Sequence, residues 1–120
     1  MATRDELREA LDDYVGRAQA SERVRKTLKG WSCVMHIQAT DLPEAAFTAT
    51  IANGELTGVQ DGLIGPADLI VSGTAEDLAK VFWCEESPAS NYMQGAVQTR
   101  GSQDDVMRLD AMAMFIYLGQ

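Results

Sequence analysis

Very few residues in this chain have the type and setting to carry chemistry. They are His36, the only histidine, Cys33 and Cys84, the acidic pair Glu85 and Glu86 in "CEES", and Asp110 at the head of "DAMAMFIYLGQ". A zinc site needs closely spaced nitrogen and sulfur ligands, and one histidine cannot complete such a set with two distant cysteines. A nucleophilic cysteine needs its thiolate favoured, whereas Glu85 and Glu86 beside Cys84 disfavour it. His36 falls on a strand-like run, where an imidazole is ordinarily a satisfied or half-exposed side chain and not a general base. "GELTG" and "GLIG" lack the lysine and the context of a phosphate loop, and no Gly-x-Ser-x-Gly elbow occurs. No catalytic residue, metal site or cofactor is therefore assigned.

The elements that must position these groups follow from local signals. "TRDE" is a capping box, with Thr3 as N-cap and Glu6 three residues on. Leu7, Leu11, Tyr14, Val15 and Ala18 continue at helical spacing. Ser21 caps a second helical stretch with Val24 and Leu28 inward, and Gly30 ends it. From Trp31 the period becomes two: Cys33, Met35 and Ile37 point one way, Val34, His36 and Gln38 the other. "AFTATI" alternates again, with Phe47, Ala49 and Ile51 inward. Asn53-Gly54 then predicts a hairpin turn into "ELTGV". "ADLIVSG" reads as a fourth strand. Thr74 caps a helix whose inward stripe is Leu78, Val81 and Phe82, ending at Trp83 and Cys84. "SPASNYMQG" suggests a short helix or turn from Pro88, "AVQTRG" a fifth strand, and Ser102 with Asp105 caps a last helix from about Gln103. Helix, four strands, helix, strand, helix is an α+β order, and the helices must cover one face of an antiparallel meander.

Length and charge bound the function. With 120 residues the chain is expected to form one domain, residues 1–120, with a real core. Apolar residues make up 46% and charged residues 23%, an ordinary globular composition. A net charge of −8 disfavours nucleic acid and anionic membrane surfaces as partners. No run approaches the ~18–20 apolar residues of a membrane span, and "MATRDELREA" has no signal-peptide core. Two unpaired thiols in a reducing cytoplasm are expected over a disulfide.

The last helix is unusual. At roughly 100° per residue, Val106, Leu109, Met112, Ala113 and Ile116 gather on one side. Met107, Ala111, Met114, Phe115 and Leu118 gather on the other, with Arg108 and Asp110 at the seams. An ordinary surface helix has one apolar stripe. The second stripe calls for a covering helix, a neighbouring subunit or an apolar ligand. Met93, Met107, Met112 and Met114 cluster in the last third of the chain, and flexible thioethers suit variable apolar shapes.

Three segments in order, "FTATIANGELTGVQDG", "ADLIVSGTAEDLAKVF" and "QGAVQTRGSQDDVMRL", resemble the type-two sterol carrier protein (nonspecific lipid-transfer) family. The shared features fall on Phe47–Gly54, Leu56, Leu69–Gly73, Thr74–Leu78, Gly95, Gly101 and the helix beyond, and the resemblance spans about residues 3 to 120. It implies a five-stranded, largely antiparallel sheet covered on one face by helices. It also implies an apolar tunnel for sterols, fatty acids or fatty acyl-CoA, partly closed by the C-terminal helix. "WCEESPASNYMQG" departs from the family pattern, and the peroxisomal ending of many members is absent.

The expected ligand-binding residues are Phe82, Trp83, Met93, Leu109, Met112, Ala113 and Ile116. Asp110 is expected as a solvated seam residue, with a place at the mouth of the tunnel as the alternative. The expected function is a lipid carrier or reservoir, without membrane insertion. Two alternatives stand beside it. One is a homodimer or an accessory, substrate-holding subunit of an enzyme. The other is an enzyme acting on an apolar substrate with Asp110 or His36 as acid or base.

Overall fold

The computed structural model describes residues 2–85 and 95–119. Each described helix opens on a side-chain cap that accepts a hydrogen bond from a backbone N–H otherwise left without a partner. Thr3 opens α1 (Arg4–Ala20) and accepts from the Glu6 N–H at 3.2 Å. Ser21 opens α2 (Glu22–Leu28), accepting from Val24 at 3.2 Å. Thr74 opens α3 (Ala75–Phe82), accepting from Asp77 at 3.1 Å, and Ser102 opens α4 (Gln103–Leu118), accepting from Asp105 at 3.2 Å.

The strands are β1 (Cys33–Ala39), β2 (Ala46–Ala52), β3 (Glu55–Asp61), β4 (Leu69–Gly73) and β5 (Gln98–Gly101). They form one sheet in the order β3-β2-β1-β4-β5. β1, β2 and β3 are the predicted antiparallel meander, turned at Asn53 (φ 50°) and Gly54 (φ 83°). Gly54 is also required by space, since a Cβ there would sit 2.9 Å from the Leu28 carbonyl oxygen at the end of α2. β4 crosses to the far side of β1 and runs parallel to it, while β5 closes the edge antiparallel to β4. The sheet is thus mixed and mostly antiparallel. At Gly101 a Cβ would collide with the Leu69 side chain and lie 2.6 Å from the Asp68 carbonyl oxygen, so β5 can approach β4 only with glycine there.

The alternation read from the sequence holds. Cys33, Met35, Ile37, Phe47, Ala49 and Ile51 are buried beneath the helices, with Leu7, Leu11, Tyr14, Val15 and Ala18 of α1 packed on them. Ion pairs from Arg4 (2.9 Å) and Arg8 (2.6 Å) to Asp61, and an Arg8 hydrogen bond to the Val59 carbonyl (2.8 Å), tie α1 to β3. The indole of Trp31 donates to Asp105 at 2.8 Å and anchors the start of α4.

The opposite face of the sheet is not bare. The crossover at residues 62–68 lies over it. There Thr48 donates to the Gly62 carbonyl at 2.7 Å and accepts from the Ile64 N–H at 2.9 Å. Directly across the β1–β2 ladder from Thr48, His36 places Nε2 3.4 Å from the Ile64 carbonyl oxygen. Thr48 and His36 are consequently buried, although strand alternation alone assigns them to the solvent side. Leu63 and Ile64 at the crest of the crossover are exposed. Among the described residues no helix is long and apolar enough to cross a membrane.

Candidate functional site

Between the sheet and the helices is an apolar cavity of about 100 Å³. Its floor is made by rows of inward side chains in register across the strands. Val59, Ala49 and Met35 form one row, and Ile37, Val71 and Thr99 the next. Leu11, Tyr14 and Val15 of α1 form one wall, and Val81 and Phe82 of α3 another. Leu109, Asp110, Met112 and Ala113 of α4 close it. Close packing leaves space only where side chains are too short to fill it, and the short side chains of Ala49, Thr99 and Ala113 are part of this lining. A larger groove of about 640 Å³ runs between α2 and the β2–β3 turn, but Arg25, Lys26, Lys29, Glu22 and Glu55 line it and make it a solvated surface feature.

The expected lining residues divide. Phe82, Leu109, Met112 and Ala113 converge on the cavity from two helices far apart in sequence. Trp83 is half-buried against the core but off the cavity. It follows Phe82 by about 100° around the helix, and its N–H closes α3 on Ala79 at 2.8 Å. Ile116 is buried one turn beyond Met112, beside Arg17 and Ala20 at the α1–α2 corner, outside the cavity lining. Met93, like the short helix or turn expected from Pro88, lies outside the described residues. Asp110 lines the cavity and is also exposed, which places the opening beside it. Burial raises its carboxyl pKa above the ordinary range.

The α1 wall and the sheet floor were legible only as core. Their periodicity gives the direction of each side chain, not whether the space in front of it is filled. Tyr14 is the informative one. It is 6% exposed and lies edge-on to Phe82, with ring centroids 5.1 Å apart and planes at 80°. Burial, with a smaller contribution from Cys84, pushes its phenol well above the usual tyrosine range.

The remaining reactive groups do not assemble. His36 is on the face of the sheet away from the cavity, so it and Asp110 share no site. Cys33 is a buried free thiol pushed up to about 12 by burial, then by Asp105 and Asp68. Cys84 is also free. Its thiol is raised first by burial and further by Asp13, with Arg17 opposing, so the thiolate is disfavoured. Among the described residues no group of three or more His, Cys, Asp or Glu is placed to hold a metal ion.

The second apolar stripe of α4 is only partly covered. Phe115 packs under Arg23, whose guanidinium lies 5.3 Å from the ring centroid. Met107 and Leu118 stay at the surface, 61% and 53% exposed.

No curated protein matches the sequence. Among solved structures, the chain is similar to a UbiJ-SCP2 ubiquinone synthesis protein (16% identity, TM-score 0.65, covering 91% of this chain and 94% of that one). It is similar to a crystal structure of sterol carrier protein 2 (15% identity, TM-score 0.65, 94% and 92% covered). A palmitated SCP2L2 from Aedes aegypti also matches (15% identity, TM-score 0.57, 91% and 92% covered). At these identities the likeness is one of fold. The sequence itself matches the SCP-2 sterol transfer family over residues 13–114, most of its length, so the fold and the sequence agree that this chain belongs to that family.

Proposed function

We propose that the chain binds an apolar small molecule, a fatty acid, fatty acyl-CoA or sterol-like lipid, in the cavity beneath α4 and serves as its carrier or reservoir. The observation that carries this reading is a cavity lined almost wholly by aliphatic and aromatic side chains, closed by one helix at the end of the fold. Each methylene buried there contributes about 0.8 kcal/mol, so affinity comes from chain length and specificity is coarse. The family description and the palmitated relative point the same way. An apolar cavity of about 150 Å³ holds one benzene, so at about 100 Å³ the present space takes only part of a lipid. Loading therefore requires α4 to move outward, and only Met112 and Ile116 of that helix are buried. The test is a titration with a fluorescent fatty acid followed by displacement with unlabelled lipids. Saturable uptake at micromolar concentration is expected, and no uptake of any lipid probe contradicts the reading.

A second reading rests on the uncovered part of the α4 stripe. Met107 and Leu118 offer an apolar contact to another subunit, in keeping with an accessory or dimerising role. The likeness to a ubiquinone synthesis protein is compatible with it. Light scattering separates the cases: a strict monomer at micromolar concentration removes the homodimer.

A further inference from the structure

The cavity is apolar but not featureless. Among the described residues that line it, those with polar side-chain atoms other than methionine sulfur are Tyr14, Thr99 and Asp110. Asp110 is at the solvent opening. Tyr14 lines the cavity from α1, whose other buried residues are Leu7, Ala10, Leu11, Val15 and Ala18. Its ring is held edge-on by Phe82, yet its hydroxyl makes no hydrogen bond among the described residues. A buried donor without a partner is costly and uncommon in a folded chain. The phenol stays protonated throughout the physiological range because burial disfavours its anion, so it can only act as an O–H.

The charges around the cavity narrow what could accept from that hydroxyl. Among the described residues no Lys, Arg or His lines it, and Asp110 is the one carboxylate that does. An ionised head group drawn inside would be buried with no counter-charge and would face a carboxylate at the opening. A neutral oxygen meets neither penalty.

We infer that Tyr14 is the internal hydrogen-bond donor of the cavity, and that the preferred ligand is an uncharged lipid whose carbonyl or hydroxyl oxygen accepts from it. This deepens the lipid-binding reading and rests on it. Selectivity for the polar end would come from this one contact, while the rest of the cavity reads only length and bulk.

The test compares matched twelve-carbon probes: dodecane, methyl decyl ketone and dodecanoate at mildly alkaline pH, measured by displacement of a fluorescent lipid. In the native protein the ketone should bind roughly five- to tenfold more tightly than the alkane, the value of one hydrogen bond, and more tightly than the ionised acid. Tyr14→Phe keeps the ring against Phe82 and should erase the ketone's advantage over the alkane. Infrared spectra of the ketone bound to the native protein give a second readout that needs no variant. Its carbonyl band should lie below its position in hydrocarbon solvent. An unchanged ketone-to-alkane ratio in Tyr14→Phe, an unshifted carbonyl band, or tighter binding of dodecanoate than of the ketone would overturn the inference. Failure of all probes, dodecane included, to bind the native protein would instead sink the lipid-binding reading itself.

Discussion

Two hydroxyls, one on each side of the sheet, are buried to a similar degree and are treated in opposite ways. On the outer face Thr48 is clasped by the crossover, donating to the Gly62 carbonyl and accepting from the Ile64 N–H. On the helical face Tyr14 borders a space and meets no partner among the described residues. Buried polar groups are normally paired, so the Thr48 arrangement is the ordinary one and serves the fold. The Tyr14 arrangement leaves donor capacity unused and adjoins an apolar void between sheet and helices. The contrast separates a face whose buried hydroxyl is paired from a face whose buried hydroxyl borders empty space.

Substitutions sharpen this contrast. Thr48→Val is nearly isosteric but strips both crossover hydrogen bonds. It should cost about 1–3 kcal/mol, moderated by water reaching the loop, and lower Tm by roughly 5–10 °C in a thermal melt. An unchanged melting curve would mean that the crossover is not held as described. Ala113→Leu adds three carbons to the cavity roof. Stability should stay within about 1 kcal/mol, because the new atoms enter space and not packed core, while fatty-acid affinity falls about tenfold or more, as a loss of even two buried methylenes would give. Retained affinity would place the ligand elsewhere.

Asp110→Asn should have the smallest effect. Burial raises the pKa of this carboxyl in the fold, so its charged form is the disfavoured one. Its contribution to stability is most favourable in acid and declines as pH rises from the ordinary aspartate pKa through the raised one. The amide removes that decline. The variant should melt roughly 1–3 °C higher than the native chain at neutral pH, with the gain vanishing in acid. A gain that is the same at all pH values would show that the carboxyl's charge is not its cause.

Much of the fold was legible because its signals are local. A cap such as Thr3, Ser21, Thr74 or Ser102 acts on an N–H three residues away. The Asn53-Gly54 turn depends on two left-handed residues side by side. The place of β4 beside β1 was not written in its own pattern, because "LIVSG" pairs equally well on either side. Nor could the burial of Thr48 and His36 be foreseen, since it depends on a glycine-rich crossover folding back over them. The site shows the same division. The helical angles grouped Leu109, Met112 and Ala113, the α3 stripe supplied Phe82, and all four line the cavity. Trp83 was expected with Phe82 although a helix turns by a large angle at each residue. Tyr14 was placed inward and counted as core, because a hydrophobic period cannot tell filled space from empty. That distinction depends on Ala49, Thr99 and Ala113 being brought to one cavity, and they come from three separate elements.

The central claim is that the space beneath α4 is kept for a hydrocarbon guest. A crystal structure of the protein, purified without detergent or organic extraction, tests it most directly. Elongated density between Phe82, Leu109 and Met112, with an oxygen within hydrogen-bond reach of Tyr14, is the predicted result. A collapsed interior with α4 packed down on Met35 and Ala49, and no density after soaking with fatty acid or ketone, would contradict it.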